Sequence, residues 1–97
     1  MNEKETKIFH YISEAYSDKK IQSNTELAEL LLKYAKMLEE GAEHKLVCVK
    51  LSNAISRYLV THKLQSPEAL TKLFDRIQPE AQKYRAEMSV NTWLNIF

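Results

Sequence analysis

The chain has 97 residues, with 14 basic and 13 acidic side chains for a formal net charge of +1, and a single cysteine. A length near one hundred allows one domain over residues 1–97 around one core, and burying roughly 60–65% of the unfolded surface lets it fold without covalent staples. Balanced charge argues against a nucleic-acid partner, which needs a basic field to displace counterions, and a lone Cys48 excludes the disulfide-rich secreted class.

The N-terminus is charged from Glu3 onward and lacks the apolar core of a secretory signal. The longest aliphatic runs, Leu30 to Leu32 and Leu46 to Val49, fall far below the roughly 18 residues of a spanning helix. A cytoplasmic location is expected. One glycine and two prolines leave little material for the tight turns of strands. Abundant Leu, Ala, Glu, Lys and Gln predict an all-α chain with short loops.

The first helix is predicted over 4–17, where Ile8, Tyr11, Ile12, Ala15 and Tyr16 recur at helical spacing. Ser17 to Lys20 reads as a loop, with Ile21 as a hydrophobic staple for the next helix. Ser23-Asn24-Thr25-Glu26 fits a capping box opening that second helix. Its stripe is Leu27, Leu30, Leu31, Tyr34, Met37 and Leu38, and Gly41 ends it in the left-handed conformation. The third helix, about 43–63, has Val47, Leu51, Ala54, Ile55, Tyr58 and Leu59 on its main face. Leu46, Val49 and Val60 lie on the other side, which marks the helix as central or as carrying a second apolar surface.

Ser66-Pro67-Glu68 predicts the start of the fourth helix, with serine as cap and proline in the first turn. Leu70, Ile77 and Tyr84 form one apolar row, and Phe74, Ala81 and Met88 another; both pass through Pro79. One long helix bent at Pro79 is expected, and two helices meeting there are the alternative. Residues 89–97 read as an uncharged apolar tail beyond the helix. Short connections make consecutive helices antiparallel, an up-down-up-down four-helix bundle. Leu31, Leu51 and Phe74 sit at the centres of their stripes and should be fully buried.

No constellation for chemistry emerges. Cys48 lies at the edge of an apolar stripe and reads as a small buried hydrophobe. His44 and His62 are about five turns apart on one helix, too far to share a metal, and His10 faces the polar side of its own. Phosphate loops, CxxC pairs and the Glu-x-x-His repeats of di-iron bundles are all missing from the sequence. Neither cofactor, metal nor catalytic residue is expected, and a binding protein is favoured over an enzyme. The locally basic stretch 42–65 (Lys45, Lys50, Arg57 and Lys63 against Glu43) reads as a solvated face.

The run from Leu51 to Leu64 (LSNAISRYLVTHKL), followed by Ser66-Pro67-Glu68-Ala69-Leu70 and Leu73 to Ile77, resembles the third and fourth helices of bacteriocin immunity proteins. These are the enterocin A and pediocin-like immunity proteins of lactic acid bacteria and streptococci. As a pattern, the resemblance extends over most of 5–88. It implies a cytoplasmic antiparallel four-helix bundle that protects the cell from a pore-forming peptide. The implied partner is the bacteriocin–receptor complex at the inner membrane face, the receptor being the mannose phosphotransferase permease. The peptide is not destroyed, and the C-terminal half carries much of the specificity. Near-neutral charge is a departure, since many relatives are more basic.

On that basis the expected partner-binding surface comprises Tyr84, Arg85, Met88, Trp93, Leu94, Ile96 and Phe97, large aromatic, apolar and arginine groups suited to an interface. A tail that merely caps the core is the plainer reading. Two other classes stay open: a homodimeric scaffold, and a helical DNA-binding or regulatory module. The latter would use Lys72, Arg76, Lys83 and Arg85, although Glu68, Asp75, Glu80 and Glu87 interrupt them.

Overall fold

A computed structural model describes the backbone of residues 2–96 and the side chains of residues 2–86. Among the described residues every regular element is helical: α1 (Glu3–Tyr16), α2 (Lys19–Gln22), α3 (Thr25–Glu39), α4 (His44–Thr61) and α5 (Glu68–Ile96). α1 opens on a capping box that the apolar spacing alone does not reveal. Asn2 Oδ1 accepts the Glu5 N–H at 2.8 Å, and the Glu5 carboxylate accepts the Asn2 N–H at 3.0 Å. The expected loop after it contains a one-turn helix, α2, because Asp18 Oδ2 accepts the Lys20 N–H at 3.1 Å and caps it. Ile21 anchors that turn and is fully buried.

The cap of α3 is Asn24, in place of the expected pair of Ser23 and Glu26. An amide can serve two partners at once. Asn24 Oδ1 accepts the Leu27 N–H at 3.2 Å while its Nδ2 donates to Tyr58 Oη of α4 at 3.0 Å. A serine hydroxyl has one proton and a shorter reach, so the tie to α4 favours asparagine. The Tyr58 ring in turn stacks on His62 at 3.9 Å between centroids.

Gly41 ends α3 as expected, at φ 96°. The Gly41 N–H donates to the Leu38 carbonyl and the Ala42 N–H to the Met37 carbonyl, the paired bonds of a Schellman motif. α4 ends in a similar way without glycine. Lys63 and Leu64 both sit in the left-handed region, at φ 56° and 64°, and the Leu64 N–H donates to the Leu59 carbonyl at 2.6 Å. α5 begins at Glu68, the Leu70 N–H donating to the Pro67 carbonyl at 3.0 Å.

α4 packs against α1, α3 and α5, and among the described residues its contact with α5 is the most extensive. That explains its apolar character on two sides: Val47, Leu51 and Ile55 are fully buried and Val49 packs at the core's margin. Leu31 and Leu51 are fully buried as expected. Phe74 is not. The buried row of α5 is Leu70, Leu73, Ile77 and Ala81, with Phe74 half-buried beside it. Both stripes are apolar enough to serve; α5 meets α1 as well as α4, and that pairing turns Leu73 inward.

Beyond Met88, where the helix was expected to end, the backbone continues as helix to Ile96. No glycine or proline follows Pro79, so the strongest helix terminators are missing from that stretch of sequence. Pro79 itself lies inside the helix.

Candidate partner-binding surface

The seam between α4 and α5 carries a buried polar contact at Ser52. Ser52 follows Leu51 on α4, and its hydroxyl is buried, the residue being 1% exposed. Two donors from α5 converge on it: Gln78 Nε2 at 2.8 Å and Arg85 Nη2 at 3.2 Å. The same Arg85 nitrogen reaches Asn53 Oδ1 at 2.9 Å. Arg85 is otherwise exposed, and Tyr84 beside it is half-buried. The structure thus brings these two expected site residues to the C-terminal part of α5, with the guanidinium braced on α4. The side chains of Met88, Trp93, Leu94 and Ile96, and the whole of Phe97, lie outside the described residues.

Sequence reasoning missed Ser52 and Gln78. A serine next to Leu51 and one turn before Ile55 was the available signal, since buried hydroxyls are normally satisfied by a partner.

A second polar cluster links the start of α4 to α5. His44 is 8% exposed, and its Nε2 lies 3.2 Å from Glu80 Oε2. Burial raises the Glu80 pKa, but Lys83, His44 and Lys4 outweigh it and hold the carboxyl below its ordinary value. An ionised carboxylate only accepts, so His44 Nε2 carries the proton in this pair. Lys83 Nζ is 3.6 Å from the other oxygen.

One turn earlier on α5, Arg76 Nη1 donates to Glu14 Oε2 at 2.5 Å, and Lys72 lies 4.0 Å from Glu14 Oε1. The Arg76 hydrogen bond and charge, aided by Lys72, lower the Glu14 pKa. Arg76 also covers the Tyr11 ring at 5.0 Å. The α5 cations Lys72, Arg76, Lys83 and Arg85 therefore have partners within the fold, an arrangement unlike a helix that presents them to a phosphate backbone.

Cys48 is buried, and burial, with a smaller contribution from Glu80, pushes its thiol up to about 12. Such a group is a poor nucleophile. Among the described residues no cluster of histidine, cysteine or carboxylate side chains could hold a metal ion, and no helix is long and apolar enough to cross a membrane. Among the described residues, the large apolar side chains most open to solvent are Leu32, Val60 and Leu64. Of the second face of α4, only Val60 is thus exposed; Leu46 and Val49 are half-buried.

The profile of the bacteriocin immunity protein family matches residues 3–82. The Hiracin-JM79 immunity factor of Enterococcus hirae is 34% identical over 90 residues, spanning 93% of this chain and 95% of that protein. The crystal structure of protein SPy2152 from Streptococcus pyogenes is similar with a TM-score of 0.64 at 24% identity, over 77% of this chain and 96% of that one. That likeness bears on the fold alone. The family profile ends before Tyr84, so the expected recognition residues all lie beyond it.

Proposed function

This chain belongs to the bacteriocin immunity protein family, and from that membership we propose that it protects its cell by binding and not by catalysis. It acts in the cytoplasm, or at the inner face of the membrane, on the complex between a pore-forming pediocin-like peptide and its receptor. The mannose phosphotransferase permease is the receptor that this reading assigns. The near-full-length relationship to an immunity factor carries the proposal. The whole chain serves as one domain, with its four long helices alternating in direction and α5 bent at Pro79; the short connections support this topology. Recognition is assigned to the end of α5: Tyr84 and Arg85 with Met88, Trp93, Leu94, Ile96 and Phe97.

The test is expression in a bacteriocin-sensitive strain challenged with a panel of pediocin-like peptides. Protection against at least one, with the peptide recovered intact after incubation with purified protein, is expected. Cleaved or modified peptide would overturn the binding mechanism. Full sensitivity to the whole panel would remove this peptide class. Deleting residues 90–97 should abolish protection while leaving the unfolding free energy extrapolated to water within about 10% of the parent, the scale of extrapolation error in urea curves.

A further inference from the structure

α5 contains its own weak point. Pro79 has no N–H, so the Asp75 carbonyl loses its helical partner, and the ring crowds the preceding turn. The part of α5 beyond the proline needs another hold if its direction is to be fixed. Gln78 and Arg85 stand on opposite sides of that point, two helical turns apart and therefore on one face. Both donate to the same acceptor, the buried Ser52 Oγ of α4, at 2.8 and 3.2 Å. Asn53 Oδ1 takes a further bond from Arg85 at 2.9 Å. A charged donor on a buried hydroxyl makes a stronger bond than a neutral pair. The helix is thus clasped to α4 across its interruption.

We propose that Ser52 is a positioning residue for partner recognition: through Gln78 and Arg85 it sets the direction of the last turns of α5. This rests on the assignment of recognition to those turns. Ser52 is buried and cannot itself touch the partner, so it acts on protection either through α5 or through overall stability, and the two are separable. The leverage is large. From Pro79 to Ile96 the helix is about 25 Å long at 1.5 Å per residue, and a kink of about 20° there would move its far end by about 9 Å.

The test compares Ser52→Ala with Ile55→Val, a core truncation on the same helix chosen to lower stability by a similar amount. Trp93 is the only tryptophan, so its fluorescence anisotropy, read well below the melting range, reports on the end of α5. Ser52→Ala should lower that anisotropy and reduce protection about tenfold, the equivalent of one lost interaction of 1.4 kcal/mol. Ile55→Val should do neither. Asn53→Ala, an exposed change that cannot prevent folding, should lower both partway. In an Arg85→Ala background Ser52→Ala should have little further effect on anisotropy, because the two act as one unit. Unchanged anisotropy in Ser52→Ala would overturn the proposal, whatever happens to protection. Equal loss of protection in Ile55→Val would overturn it too, by reducing Ser52 to a contributor to stability. If instead the chain lacking residues 90–97 protects fully, recognition by those turns falls, while the anisotropy comparison still decides whether Ser52 clasps the helix.

Discussion

The turn between α4 and α5 holds Lys63 at the position where α3 uses Gly41. For an L-residue the left-handed conformation costs roughly 1–2 kcal/mol, because Cβ crowds the following carbonyl. Glycine escapes that cost but returns about 0.5–1 kcal/mol through the larger freedom of its unfolded chain. Lys63 is exposed, and the bond that closes the motif uses the neighbouring Leu64 N–H, so Lys63→Gly removes neither a buried group nor a hydrogen bond. A net gain of about 0.5–1 kcal/mol is expected. For a chain of this size it corresponds to a melting temperature higher by about 2–8 °C. Thermal melts followed by far-ultraviolet circular dichroism measure it, and urea titrations should show a higher midpoint at constant slope. The reverse change is the control. A Cβ added at Gly41 meets nothing within 4 Å, so Gly41→Ala isolates the backbone cost at φ 96° and should lose about 1 kcal/mol or more. A Lys63→Gly midpoint equal to or below the parent's, or a harmless Gly41→Ala, would refute the reasoning.

Truncating Leu31, Leu51 or Leu73 to alanine should each cost about 2–5 kcal/mol by urea unfolding, and half-buried Phe74 less than Leu73; the opposite order would mean that α5 is rotated about its axis. Glu14 and Glu80 have folded pKa values below the ordinary 4.5. Their contribution to stability is therefore present above that value and lost as pH falls through it to the folded values. Urea midpoints should decline more steeply below about pH 4.5 in the parent than in Glu80→Gln, and parallel profiles would argue against the Lys83–His44 environment of Glu80.

The helices were legible because their signals are local. Leu27, Leu31 and Leu38 repeat at helical spacing, and Gly41 is the one residue that reaches its backbone conformation freely. What escaped depends on tertiary partners or on residues with no marker. Asn24 caps α3 in place of Ser23 because Tyr58, distant in sequence, needs its amide. Leu73 outranks Phe74 through the meeting of α5 with α1 and α4 together, which no pattern along one helix encodes. Lys63 and Leu64 adopt left-handed backbone where their residue types give no warning. Of the candidate site, the aromatic and arginine content was readable, but the Ser52 contact to Arg85 joins residues on different helices. His44 and Glu80 meet in the same way.

Cys48 gives the molecule a built-in stopwatch. Its sulfur is sealed within the core and held as the protonated thiol, so a thiol reagent in solution meets it only when the helices part. As the sole cysteine, it yields one signal with no ambiguity of assignment. The rate at which the native protein takes up the reagent, divided by the rate for the unfolded chain, then reads the fraction of time the interior is open under cell-like conditions without denaturant. The same measurement ranks variants of the α4–α5 seam by the breathing they permit, a scale independent of any bioassay.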